Sequence, residues 1–206
     1  MLRLWGRTSS INVRKVLWTL QELGLPFERI DAGLSYGHNH TPAYLAKNPN
    51  ALVPLLEEGD FTLWESNAIV RYLAASQAMG TLYPEDLRQR FDAERWMDWQ
   101  QTTLNRAGGP AFIQWIRTPA DQRQPAVIAQ SVAATEPLLQ MLDAHLEKRP
   151  WMAGEHFTMA DIPIGCEIQR WWGLPQPRPV LPHLERWYAA VLARPAARGV
   201  LDLPLS

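Results

Sequence analysis

The sequence predicts an α/β domain followed by an all-helical domain. Two short apolar runs flank a helical repeat within residues 2–31, two further runs form a hairpin pattern within residues 53–63, and strand signals disappear after residue 81. We therefore expect the domains to span residues 1–80 and 87–206. With 206 residues and 47% hydrophobic side chains, the chain is able to bury a core of this size.

The first domain begins with a βαβ pattern. A short strand at residues 2–5 precedes a helix whose apolar residues recur at helical spacing, and Gly24 ends that helix ahead of Pro26. Residues 27–31 predict a second strand. Because a helix connects the two strands, the right-handed crossover rule predicts that they are parallel.

A long connection and a hairpin complete this domain. Residues 32–52 are rich in Gly, His, Asn and Pro and predict a loop with one short helical turn. The apolar runs 53–56 and 61–63 predict a hairpin, because a turn-like tetrapeptide joins them. Ser66 is predicted as the N-cap of a helix that runs toward Gly80.

The second domain shows only helical periodicity. Residues 87–106 predict a helix rich in aromatic and charged side chains, and residues 128–146 predict another, which Pro137 would bend or divide. Residues 158–161 resemble a capping box at the start of a further helix, and Pro195 stops the last one.

Composition excludes several classes of function. Twenty basic against twenty-one acidic side chains leave no field to attract nucleic acid or an anionic membrane. The single cysteine, Cys166, excludes an intrachain disulfide and a paired-thiol redox motif. The start lacks a signal-peptide pattern and no apolar run is long enough to span a membrane, so we expect a cytoplasmic protein. His38 and His40 lack a third ligand, so no metal is expected.

The segment between the first strand and the first helix could bind an anion. Residues 6–12 place the hydroxyls of Ser9 and Ser10 and the amide of Asn12 beside a helix N-terminus. Such a terminus favours a bound anion, including a thiolate. The alternative is that one of these side chains merely caps the helix, which is their commonest function.

Two motifs in the first domain carry a family resemblance. Residues 48–56 read N-P-x-x-x-V-P-x-L, and residues 65–73 read E-S-x-A-I-x-x-Y-L. This pattern resembles the glutathione site of the cytosolic glutathione transferases, and the whole chain is similar to a bacterial subgroup related to their serine-type theta and phi classes. The resemblance implies a thioredoxin-like domain of order β-α-β-β-β-α, followed by a helical domain that forms the electrophile pocket.

The resemblance assigns residues to each part of glutathione. Val53 would precede a cis proline, Pro54, and pair its backbone with the cysteinyl residue. Glu65 and Ser66 would bind the γ-glutamyl group at a helix N-terminus. His40 lies next to the position that contacts the glycyl carboxylate. Without the family, Pro54 would be an ordinary trans proline and Ser66 only an N-cap.

The same resemblance implies the catalytic residues and the chemistry. Ser10 would donate the principal hydrogen bond to the thiolate, with Asn12 and Ser9 as substitutes.

The implied electrophile pocket is bordered by Arg7 and Trp115, and Arg117 could bind an anionic group. The implied reaction is conjugation of glutathione to a small, partly apolar electrophile, by a homodimer and without a metal. The alternatives are glutathione-dependent dehalogenation, peroxide reduction or isomerisation, or a non-catalytic glutathione-binding module.

Overall fold

The computed structural model describes residues 1–206. The N-terminal domain contains, in chain order, β1 Leu2–Trp5, α1 Ile11–Glu22, β2 Phe27–Ile30, α2 Pro42–Leu45, β3 Leu55–Glu58, β4 Phe61–Trp64 and α3 Ser66–Gln77. Gly24 follows α1 with a φ of +62°, the left-handed conformation expected of a helix-ending glycine.

The four strands form one mixed sheet in the order β2-β1-β3-β4. β1 and β2 are parallel, as the crossover rule predicts, whereas β3 is antiparallel to both β1 and β4. Leu4 lies opposite Leu56, and both side chains are fully buried. The order β-α-β-β-β-α and the thioredoxin-like topology are thereby confirmed, with α2 as the predicted short turn.

Two boundaries in this domain differ from the prediction. β3 begins at Leu55, two residues later than expected, because Pro54 has no N–H to donate to a sheet ladder. Ser66 is not the N-cap of α3 but its first helical residue, and Glu65 precedes it with a φ of +72°. The Ser66 hydroxyl instead donates a hydrogen bond of 3.3 Å to Asn12 Oδ1, a contact between helices that sequence spacing does not predict.

The remaining chain is helical, as predicted. It contains α4 Leu87–Trp99, α5 Asn105–Phe112, α6 Pro125–Leu146, α7 Asp161–Trp172 and α8 Pro182–Leu192. A π-helical segment, Gln100–Leu104, connects α4 to α5, and a second one, Ile113–Arg117, follows α5, so the helical stretch continues well beyond residue 106. α6 continues through Pro137 without division, and it packs along α5 and α8. No helix is both long and apolar enough to cross a membrane.

The two domains share one hydrophobic core. α1 packs against α7, and buried side chains from both domains belong to a single cluster. The approach is close at Gly165, where a Cβ atom would lie 2.8 Å from the fully buried Trp18 ring. The exact domain limits, 1–80 and 87–206, stay a prediction.

The predicted capping box at the start of α7 is part of a larger buried network. Asp161 Oδ2 accepts a hydrogen bond of 2.9 Å from the Thr158 N–H, while Thr158 Oγ1 accepts one of 3.3 Å from the Ala160 N–H. Asp161 Oδ1 accepts two more, from the Met152 N–H and from Trp187 Nε1. One fully buried carboxylate therefore connects α7, α8 and the loop before α7.

We expect Asp161→Ala to lower the free energy of unfolding by about 3 kcal/mol or more, because it leaves three buried N–H donors without an acceptor. Chemical denaturation at pH 7 measures the change. The control is Asp121→Ala, which removes an exposed carboxylate and should change stability little. Equal effects of the two substitutions would contradict this account of Asp161.

Candidate active site between the two domains

A cleft of about 430 Å³ lies where the N-terminus of α1 meets α5 and the C-terminal segment. Six of the residues singled out in the sequence line it: Arg7, Ser9, Ser10, Asn12, Val53 and Arg117. Their predicted roles stay predictions, but the structure brings these side chains to one place. Pro54, Glu65, Ser66, His40 and Trp115 lie outside this lining.

The Ser10 hydroxyl is not used as a helix cap. Ser10 occupies the N-cap position of α1 with an extended backbone, yet its side chain makes no capping hydrogen bond. The first helical bond runs from the Arg14 N–H to the Ser10 carbonyl, so the N–H groups before Arg14 have no partner within the helix. This hydroxyl and a positive helix terminus therefore both face the cleft.

Asn12 is oriented by the neighbouring helix. Its Oδ1 accepts the hydrogen bond from Ser66 Oγ, which is itself 3% exposed. Because the carbonyl side of the amide is occupied, the NH₂ group is the part of Asn12 that remains to donate into the cleft. Ser66 therefore affects the cleft through Asn12 in addition to its own position at the start of α3.

The segment before β3 leaves the backbone N–H and C=O of Val53 without backbone hydrogen-bond partners. Two side chains, Tyr44 and Asn48, donate hydrogen bonds of 2.6 and 2.8 Å to the Leu52 carbonyl. The Val53–Pro54 peptide bond is cis, as predicted. The N–H and C=O of Val53 make no hydrogen bond to other backbone groups, which leaves them available to an extended peptide.

The start of α3 has the features of an anion site. Its first helical hydrogen bond, 2.9 Å long, runs from the Ile69 N–H to the Glu65 carbonyl, so the preceding N–H groups have no intrahelical acceptor. Glu65 has the positive φ described above, a conformation that is strained for a residue with a side chain. Such strain is frequent at ligand sites, and Glu65 is the first residue of the motif at residues 65–73.

The helical wall of the cleft differs from the prediction. Trp115 points its indole Nε1 at Gln176 Oε1, 3.1 Å away, whereas the aromatic ring in the lining is Phe112. The π-helical segment explains the difference, because its wider turn brings residues five apart onto one face. The Arg117 guanidinium accordingly lies over the Phe112 ring, 4.9 Å from its centroid.

Of the two neighbouring residues Asn39 and His40, only Asn39 lies in the cleft lining. His40 is exposed and lies outside the lining, whereas Asn39 lines the cleft and donates a hydrogen bond of 2.6 Å to the Ala51 carbonyl.

A buried polar network lies behind the cleft. Lys15 Nζ donates hydrogen bonds of 2.7 and 2.9 Å to the side-chain carbonyls of Gln100 and Gln101. Gln100 Nε2 in turn donates to Glu167, which pairs with Arg170. Burial lowers the pKa of Lys15 to about 8, although Glu167 opposes part of that effect. Both glutamines lie in the first π-helical segment, Gln100–Leu104.

Arg14 attaches the C-terminal segment to the same helix. Its Nε donates to the Thr8 carbonyl at 2.7 Å, which fixes the loop before α1. Its two Nη atoms donate to Gln169 Oε1 and to the carbonyls of Leu203 and Pro204. One side chain, 4% exposed, thus joins the loop, α7 and the chain's last residues around the cleft.

The chain's own thiol is not a candidate nucleophile. Cys166 lies on α7 and is fully buried. Burial raises the pKa of its thiol to about 12, so the reactive thiolate form is absent near neutral pH. Any thiol chemistry in the cleft therefore needs a thiol that the cleft binds.

Comparison with known proteins identifies the family. Residues 1–75 match the family described as glutathione S-transferase, N-terminal domain, and residues 125–190 match glutathione S-transferase, C-terminal domain. Glutathione S-transferase GstB of Escherichia coli (strain K12) is 44% identical over 208 residues, covering 100% of both chains. The chain belongs to the glutathione S-transferase family.

Further relatives agree with the serine-type resemblance. Glutathione S-transferase 3 of Zea mays is 32% identical, with 99% of this chain and 95% of its own length covered. The theta class glutathione S-transferase of Xanthomonas axonopodis pv. citri, solved with glutathione bound, has a TM-score of 0.96 and 43% identity, covering 100% of this chain and 99% of that one. The present glutathione S-transferase therefore has the fold and the family predicted from its sequence.

In this glutathione S-transferase, Arg14→Met should release the C-terminal segment, because the two hydrogen bonds from the guanidinium to the Leu203 and Pro204 carbonyls are lost. We expect ¹⁵N order parameters at Leu203 and Leu205 to fall from the rigid range to below about 0.6. The control is Arg198→Met, which removes an exposed arginine side chain. Unchanged order parameters in Arg14→Met would mean that packing alone holds the segment.

Proposed function

We propose that this glutathione S-transferase holds the glutathione thiolate at the N-terminus of α1 and transfers it to a small electrophile in the cleft. One observation carries the proposal: the Ser10 hydroxyl makes no capping bond and lies in the cleft lining beside a free helix terminus. Ser10 is the principal proposed donor. The Asn12 amide and the Ser9 hydroxyl are the neighbouring groups that could share the task.

The energetic demand on this donor is modest. A thiol with a reference pKa of about 8.5 must be lowered by roughly two units to be mostly ionised near pH 7, which corresponds to about 2.7 kcal/mol. One hydrogen bond to a charged acceptor contributes about 1.5–3 kcal/mol. A hydroxyl donor assisted by the positive helix terminus is therefore sufficient, and no general base is needed. The thiol proton passes to solvent when glutathione binds.

The rest of glutathione would extend along the N-terminal domain. The unpaired N–H and C=O of Val53 suit the cysteinyl backbone, as in strand addition. The free N–H groups at the start of α3 suit the γ-glutamyl carboxylate, and Glu65 suits its ammonium group. The Ser66 hydroxyl would donate to that carboxylate by exchanging its bond to Asn12 Oδ1 for one to the ligand. His40, as the resemblance implies, or the adjacent Asn39, which lines the cleft, would contact the glycyl carboxylate.

The reaction would be a nucleophilic substitution or addition. The thiolate sulfur attacks the electrophilic carbon, a C–S bond forms, and a leaving group departs with its electron pair where the substrate has one. The side chains of Phe112 and Ile113 give the electrophile an apolar surface on the helical wall. The protein's part is to ionise the thiol and to hold both reactants in line.

We also propose that the protein works as a cytoplasmic homodimer with a role in detoxification. Large apolar side chains are exposed on β4, at Phe61 and Trp64, and on α4, at Leu87 and Phe91. Exposed apolar groups of this size commonly mark a protein interface.

Ser10→Ala should raise the pKa of the thiol of bound glutathione by about one to two units, because one charge-assisted hydrogen bond to the thiolate is lost. The affinity for S-methylglutathione should be retained, since that ligand has no ionisable thiol. The two measurements are thiolate absorbance against pH and calorimetric titration.

Thr8→Val is the matched control, because it removes a hydroxyl in the same loop outside the cleft lining. If Asn12→Ala raises the thiol pKa and Ser10→Ala does not, Asn12 is the donor. If wild-type protein binds glutathione without lowering the thiol pKa, the proposed function is wrong.

Phe91→Asp should convert a dimer into a monomer, because a charge would be buried at the proposed interface. Sedimentation velocity at micromolar concentration measures this. A wild-type protein that sediments as a monomer would contradict the dimer.

A further inference from the structure

The cleft is lined by several cationic side chains and by no acidic side chain. Four arginines line it, Arg7, Arg14, Arg117 and Arg170, and no aspartate or glutamate does. The chain as a whole has a formal net charge of −1, so this local excess is not a consequence of composition. An excess of one sign in a partly enclosed cleft favours a ligand of the opposite sign.

Two of these arginines already have partners. Arg14 donates all its hydrogen bonds to the loop before α1, α7 and the C-terminal segment, as described above. Arg170 pairs with the buried Glu167 and donates a hydrogen bond of 2.8 Å to Asn105. Both side chains are therefore structural, and their contacts account for their presence.

The other two have no ionic partner. Neither Arg7 nor Arg117 takes part in any ion pair. Arg7 Nε is buried without a hydrogen-bond partner, and the Arg117 guanidinium lies over the Phe112 ring. Burial lowers the pKa of both groups, and each is lowered further by an arginine, Arg117 in the case of Arg7 and Arg170 in the case of Arg117.

The Arg7 guanidinium lies against Gly33 in the loop after β2. Gly33 has a φ of +83°, and a Cβ atom there would lie 2.7 Å from Arg7 Nη1. A side chain at residue 33 would therefore have to displace the guanidinium. Arg7 comes from the N-terminal domain and Arg117 from the helical domain, so the two reach the cleft from opposite walls.

We propose that Arg7 and Arg117 bind a carboxylate group carried by the electrophile, so that the second substrates of this enzyme are small anions. The inference rests on the proposed transferase function for the reaction itself, but not for binding. Guanidinium groups present paired donors that match a carboxylate, and Phe112 beside them suits the rest of a flat, partly apolar molecule.

The first test measures binding without reaction. Protein saturated with S-methylglutathione is titrated by calorimetry with 3,5-dinitrobenzoate and with the neutral 3,5-dinitrobenzamide. We expect the benzoate to bind at least about tenfold more tightly, with a difference that shrinks as NaCl is raised. Arg117→Met and Arg7→Met should abolish the difference. Arg106→Met, which removes an exposed arginine of α5 outside the lining, should preserve it.

Arg117 is exposed, so its replacement tests the site even if Arg7→Met fails to fold. Equal affinity of wild-type protein for the two compounds would overturn the proposal. The proposal would also be overturned if the substitutions lowered the affinity for S-methylglutathione instead, because the arginines would then belong to the glutathione site.

The second test adds the reaction. The glutathione thiolate displaces chloride from 4-chloro-3,5-dinitrobenzoate or from its amide, so that a C–S bond forms and the C–Cl bond breaks. We expect the ratio of kcat/KM to the uncatalysed rate constant to be higher for the benzoate than for the amide. We also expect Arg117→Met to raise KM for the benzoate. A retained binding preference with no turnover of either compound would contradict the transferase function while supporting the anion site.

Discussion

The contact on which the cleft depends is a buried ammonium group between the two domains. Lys15 on α1 is fully buried, and its hydrogen-bond acceptors are Gln100 and Gln101 on the helical side. Removing one partner of a buried charge typically costs about 3–5 kcal/mol, so the two sides cannot slide apart without a large penalty. Ser10 precedes Lys15 by less than two helical turns, so fixing Lys15 also fixes the helix terminus that faces the cleft.

α1 differs from the amphipathic helix that its periodicity predicts. The apolar residues at helical spacing are buried, and so is each remaining residue from 13 to 20. The opposite face, with Lys15 and Trp18, packs on the helical domain. Charged and polar residues normally indicate a solvated face, and here Arg14 and Lys15 are buried because side-chain and backbone acceptors from distant segments meet them. Sequence periodicity contains no information about those acceptors.

The N-terminal wall of the cleft was more predictable than the helical wall for a physical reason. The loop before α1 is a local feature, because helix termini depend on neighbouring residues. The cis Val53–Pro54 bond was expected only from the family resemblance, and the N-cap of α3 was predicted one residue too late. The helical wall depends on how a long helix is wound. Its two π-helical segments change which residues share a face, so Phe112 rather than Trp115 enters the lining. No spacing rule for an α-helix predicts that exchange.

The distribution of arginines also bears on the chemistry of the cleft. A thiolate attacking an anionic electrophile is opposed by like-charge repulsion, which is strong at short distance in a medium of low dielectric constant. Arg170 is paired with Glu167, and Arg14 already donates to protein acceptors, so neither guanidinium has the paired donors that a bound carboxylate needs. Arg7 and Arg117 are free to offset that repulsion, and they sit on opposite walls. With Arg7 and Arg117 binding the carboxylate of the electrophile, the N-terminus of α1 would remain available to stabilise the thiolate. The two negative charges would thus be bound by separate groups.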